Sequence, residues 1–195
     1  MITIEQIKEL RDSTGISIMQ CRKALEEAGG DREKALVILK KKGGDIAAKK
    51  SDRSLGASII SAYIHSNGKV GALVELSCET DFVAKNDDFK ALAYDIAMHV
   101  AASNPQFLKK EEINEEAKKA AMEVFQKEVE GKPKEMQAKI LEGKLNAYFQ
   151  DKILLEQPFI KNPEVTVGGL VQSAIQKFGE KTEIIRFSRF GSLEK

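Results

Sequence analysis

Four carboxylates fall close together in this chain, Glu79, Asp81, Asp87 and Asp88. Carboxylates that converge can hold a divalent cation, or divide into a general acid and a general base. These four lack the alternating ligand spacing and the turn glycine of a calcium loop. Asp87 and Asp88 read better as first-turn acids of a helix, where the N-terminal end of the dipole favours negative charge. A metal-dependent hydrolase on Glu79, Asp81, Asp87 and Asp88 is therefore the least favoured chemistry. The only histidines are His65, in a strand-like run, and His99, in mid-helix; with Cys21 and Cys78 in separate segments they make no zinc spacing. Cys78 is in phase with the apolar face of its strand and reads as a buried hydrophobe rather than a reactive thiol. No phosphate-binding loop, dinucleotide fingerprint or nucleophile elbow is found. No catalytic residue, metal or cofactor is expected. What remains is a short polar connection, residues 79–86, that carries two apolar side chains, Phe82 and Val83. Such a pair either folds back into the core or projects into a partner. The residue pattern alone favours the core.

Composition narrows the partners. The 195 residues are 42% hydrophobic and 31% charged, a globular rather than a disordered balance. Thirty-one basic against 30 acidic residues leave a net charge of +1. That gives no electrostatic footprint for direct nucleic-acid or membrane-surface binding. No apolar run approaches the roughly 20 residues of a membrane span. The N-terminus, Met1-Ile2-Thr3-Ile4-Glu5, lacks the basic and apolar regions of a secretory leader. Reduced thiols and a cytoplasmic location are expected.

The elements that would hold the connection follow from capping and periodicity. Residues 1–44 read as a three-helix domain. Thr3 and Gln6 have capping-box spacing, Ser17 and Gln20 repeat it, and Asp31 opens the third helix. Gly29-Gly30 and Gly43-Gly44 read as stops. Residues 45–55 read as a linker, with Lys40, Lys41, Lys42, Lys49 and Lys50 a solvated helix end rather than a phosphate site. From 56 to 195 an α+β core is expected. Residues 56–78 alternate as a hairpin about Asn67-Gly68, where both residues tolerate positive φ. Phe89, Leu92, Ala93, Ile96, Ala97, Val100 and Ala101 then mark one helix face, ended by Asn104-Pro105. Residues 109–150 read as two helices with Pro133 in the first turn of the second and Ile113, Ala117, Val124, Phe125, Met136, Ile140 and Phe149 turned inward. Residues 157–163 read as a loop. Thr166 caps a last helix that ends at Gly179. Residues 181–190 read as a third strand joining the hairpin in a small antiparallel sheet packed by helices.

Several blocks together resemble the elongation factor Ts family. Leu10-Arg11-Asp12-Ser13-Thr14-Gly15, Met19-Gln20-Cys21-Arg22-Lys23-Ala24-Leu25 and Gly30-Asp31 are similar to its N-terminal module, and Ala47-Ala48-Lys49-Lys50 follows in order. Cys78 to Asn86 is similar to its central motif. Ile96 to Ala102, Gly131-Lys132-Pro133, Gln157-Pro158-Phe159 and Thr166-Val167-Gly168 match further blocks in collinear order. The resemblance implies a guanine-nucleotide exchange factor, without covalent catalysis, for elongation factor Tu. It implies an N-terminal bundle similar to ubiquitin-associated domains, docking on the partner's GTPase domain. It also implies that Asp81 and Phe82, flanked by Thr80 and Val83, reach towards the partner's nucleotide and displace its magnesium ion. His99 is a possible further contact on the same basis. Short members resemble a half-core, so a possible homodimer is implied, through the final strand or the helices of 111–150. The alternative is a protein-binding adaptor that uses the three-helix bundle without speeding nucleotide release.

Overall fold

The computed structural model describes residues 2–129 and 134–193. The N-terminal bundle is α1 (Ile4–Thr14), α2 (Ile18–Glu27) and α3 (Arg32–Lys49). Thr3 and Gln6 close the capping box that their spacing predicts. Ser17 accepts from the Gln20 amide, but Gln20 turns its side-chain oxygen to Gln176 Nε2, 2.7 Å away. Leu10, Ile16, Cys21, Ala24, Leu25, Ala35 and Leu39 fill the small bundle core.

Gly43-Gly44 does not stop α3, and the first residues of the expected linker are helical to Lys49. The reason is tertiary. Gly43 is buried, and a Cβ there would lie 3.0 Å from the Gln176 side chain of α8 (Val167–Phe178). The glycine permits close helix approach, and the packing outweighs its helix penalty of about 1 kcal/mol.

The core is a three-stranded antiparallel sheet in the order β1-β2-β5, with β1 at Ala57–Ile64, β2 at Val70–Cys78 and β5 at Thr182–Gly191. The hairpin lies where alternation places it, with Ala57 opposite Cys78. In its turn only Gly68 takes positive φ, and its N–H donates to the His65 carbonyl. Ala72, Val74, Leu76 and Cys78 face α5 (Asp87–Ser103), whose Phe89, Ala93, Ile96, Ala97 and Val100 are buried against them. Full burial of a side chain such as Phe89 or Leu76 contributes about 1.5–3 kcal/mol. The β2–β5 register shifts between Glu75 and Leu76, which pair with Arg186 and Ile184. Ile185 is the extra residue of this bulge. It resets the alternation so that both Ile184 and Phe187 turn inward, three positions apart.

Two helices do cover the 109–150 region, α6 (Glu115–Val129) and α7 (Lys134–Gln150), after a short 3-10 turn at Lys110–Glu112. The reading of Pro133 lies outside the described residues. Ile113 and Phe149 are buried here, but Val124 and Met136 are exposed, against the expected inner face. This hairpin buries a stripe too narrow to cover both. The expected loop at 157–163 instead carries a two-stranded ribbon, β3 (Pro158–Phe159) and β4 (Asn162–Thr166). Thr166 then caps α8 and Gly179 ends it in the left-handed region.

Candidate functional site

The connection after β2 is a helical turn, α4, at Asp81–Ala84. Thr80 has extended backbone and is its N-cap. The turn separates the apolar pair. Val83 is 4% exposed and joins the main core with Ala84. Phe82 is 82% exposed, the largest aromatic surface on the chain's described residues. Asp81 is also at the surface, paired to Lys85 across one turn at 3.2 Å. An exposed pair of this kind contributes little to stability. The structure thus divides the pair: Val83 folds back into the core and Phe82 stands exposed at the surface.

The base of the turn is bonded on every side. Thr80 donates its N–H to Glu180 Oε2 at 3.0 Å and its hydroxyl to Glu180 Oε1 at 2.6 Å. Glu79 Oε1 accepts the Lys181 N–H at 2.6 Å, and the Glu79 carboxylate also meets Arg53 at 3.1 Å. The Lys181 amide first, and Arg53 with it, hold Glu79 below its ordinary carboxylate pKa. Cys78 donates its thiol to the Thr80 carbonyl at 3.2 Å. Burial, and then the Glu180 carboxylate, push that thiol up, so it stays protonated. The start of β1 closes the base: Gly56 N–H donates to the Cys78 carbonyl, and a Cβ on Gly56 would sit 2.6 Å from the Glu79 carbonyl oxygen. Only glycine fits that approach.

The four carboxylates do not converge. Glu79 faces Arg53, Asp81 faces Lys85, Asp87 faces Lys90 and Asp88 faces Lys177. Among the described residues no three of His, Cys, Asp and Glu are grouped to hold a metal ion. The hydrolase arrangement has no geometric counterpart.

His99 is not at the surface, where a direct partner contact would need it. It is 0% exposed, and both ring nitrogens are engaged. Nδ1 accepts the Ile160 N–H at 3.2 Å, which leaves Nε2 to donate to Gln157 Oε1 at 2.9 Å. Burial lowers its pKa, outweighing the Gln157 bond, and keeps the ring neutral. The ring pins the 157–160 segment to α5.

Arg53, Glu180 and Lys181 brace the turn, and no local pattern marks them. Glu180 follows a helix-ending glycine and lies 100 positions from Thr80, so only the fold brings them together.

Set beside known proteins, residues 32–193 match the family model described as Elongation factor TS. The chain is 48% identical over 192 residues to a curated protein named Elongation factor Ts from Carboxydothermus hydrogenoformans, covering 97% of this chain and 88% of that one. It is 47% identical to the protein of that name from Thermodesulfovibrio yellowstonii, covering 97% and 95%. It is 46% identical to that from Thermosipho melanesiensis, covering 97% and 98%.

Proposed function

The chain belongs to the elongation factor Ts family and is a translation elongation factor, and from that premise we propose that it releases GDP from elongation factor Tu as a guanine-nucleotide exchange factor. An exchange factor breaks no covalent bond. It binds the nucleotide-free partner more tightly than the loaded one, and by linkage nucleotide and factor weaken each other equally. Contacts made mainly in the nucleotide-free state must offset the strain imposed on the partner.

Phe82 is the observation that carries this reading: a bare aromatic ring, 82% exposed, on a turn whose base is bonded to two other segments, 180–181 and the residues before β1. Phe82 enters an apolar pocket of the partner beside Asp81, and the pair disturbs the magnesium site from which GDP is held. Thr80 orients the turn and Val83 anchors it to the core. The three-helix bundle, similar to ubiquitin-associated domains, docks on the GTPase domain, and its exposed Ile4, Ile18 and Met19 offer apolar surface for that contact. The protein acts in the cytoplasm; among the described residues no helix is long and apolar enough to cross a membrane.

The working form is a homodimer. The outer face of the sheet carries exposed Ile60, Ile64, Leu73 and Phe190, a broad apolar surface that a second copy would cover. The final strand contributes Phe190 to this face, which favours it over α6 and α7 as the dimer surface.

The test is release of labelled GDP from purified elongation factor Tu. The chain is expected to accelerate release. Binding without acceleration would replace this reading with that of a passive adaptor.

A further inference from the structure

We propose that Glu180 is a positioning residue for nucleotide release, its carboxylate fixing Thr80 and so the direction in which Phe82 leaves the surface. The role rests on the exchange-factor reading above.

A helix of four residues does not hold itself, because nucleation fixes several residues before propagation repays the cost. Within α4 the restraints are few. Ala84 N–H donates to the Thr80 carbonyl at 3.1 Å and Lys85 N–H to the Asp81 carbonyl at 3.0 Å. The capping contact from Val83 N–H to Thr80 Oγ1 is 3.5 Å, at the limit of a hydrogen bond. Its geometry must be set from outside. From beneath, Val83 and Ala84 are buried in the core. From the side, Glu180 takes both polar hydrogens of Thr80, one on each carboxylate oxygen. Because the hydroxyl proton is committed to Glu180, the lone pairs of Oγ1 are left facing Val83 N–H. Hydrogen bonds to an ionised acceptor are about twice as strong as neutral ones.

Glu180 can act as a brace because its own turn is fixed. Lys50 Nζ donates to the Gly179 carbonyl at 2.5 Å, and Lys181 Nζ donates to the Ser51 carbonyl at 2.7 Å. Lys181 N–H donates to Glu79 in return. Two consecutive residues after β2 therefore bond two consecutive residues before β5, and the end of α3 ties the second pair down. Glu180 is half-buried and stands outside the core cluster, so its loss leaves the packed interior intact.

The experiment uses the full chain, with Glu180→Ala and Glu180→Gln each made alone and together with Phe82→Ala, and reads labelled-GDP release from elongation factor Tu. Glu180→Ala is expected to slow release about fivefold, less than the full worth of a charge-assisted bond because water replaces the carboxylate at the exposed Thr80. Glu180→Gln keeps one acceptor oxygen and is expected to restore part of the rate. In the Phe82→Ala background neither substitution should change the rate, because the brace acts through that ring. Release as fast as wild type in Glu180→Ala overturns the proposal. So does the same fivefold loss with and without Phe82, which is the signature of a general effect on the fold. Amide hydrogen exchange on the isolated chain gives a second readout. In Glu180→Ala residues 83–85 should exchange faster while β2 and α5 keep their protection; unchanged protection at 83–85 overturns the brace. If the wild-type chain fails to speed release, the exchange-factor reading falls and takes the role in release with it, whereas the hydrogen-exchange result decides the brace separately.

Discussion

Phe82 and the outer sheet face are both exposed apolar surface, but they are held in different ways. Phe82 is one ring on a four-residue helix, with bonds from Glu180, Lys181 and Gly56 around its base. The sheet face spreads Ile60, Ile64, Leu73 and Phe190 over three strands, where the ladder alone fixes their register. A ring with an ordered base gives up little entropy on docking and presents a small area, which suits insertion and withdrawal. A broad apolar face gains from a large, lasting cover and is a liability while bare. On the proposed reading the difference suits the turn to transient work and the sheet to lasting contact.

That contrast can be broken by substitution. Phe82→Ala is expected to slow GDP release well over tenfold, the loss of about 2 kcal/mol or more that a central interface aromatic suffers on truncation. Its unfolding free energy should stay within about 0.5 kcal/mol of wild type, since the ring is solvated. A large loss of stability would show that the ring packs on its own chain. Leu73→Lys puts a charge in the middle of the sheet face without touching the core. By light scattering against concentration, the dissociation constant of the proposed dimer should rise at least about tenfold, as an unpaired charge is desolvated. A dimer that persists unchanged would move the contact elsewhere.

Smaller effects sharpen the comparison. Val83→Ala removes the equivalent of two buried methylene groups and should cost about 1.5 kcal/mol in denaturant unfolding. It should slow release less than Phe82→Ala does; the reverse order would make Val83 the contact and Phe82 its support. Glu79 gives the smallest effect, a dependence on pH. Its folded pKa is lowered from an ordinary 4.5, so its contribution to stability is present above that value and fades as pH falls through the lower folded one. Unfolding midpoints of wild type and Glu79→Gln should differ at pH 6 and converge in strong acid. A gap that stays constant across that range would remove the charge from the explanation.

Much of this fold is legible in local chemistry. Thr3, Asp31 and Thr166 cap the helices that follow them, each accepting from an amide three residues on. Asn86 accepts from the Asp88 amide at the start of α5, and alternation alone places the hairpin. Local signals fail where a distant segment changes the balance. Gly43 reads as a stop until α8 lies against it, and the Ile185 bulge is invisible to simple alternation. Val124 and Met136 have helix spacing but no surface to cover them.

The candidate site divides in the same way. Residue types and order by themselves determined that Cys78 to Asn86 holds a short polar connection between a strand and a helix, that it carries one apolar pair, and that the chain resembles the elongation factor Ts family. Periodicity cannot say which member of an adjacent pair faces the core, because a turn this short completes only one revolution. The tertiary structure decided it: Val83 lies over the interior and Phe82 stands clear. It also decided that His99 is buried and that Glu180 meets Thr80 across 100 residues. Such contacts depend on the path of the whole chain, and no window of sequence contains them.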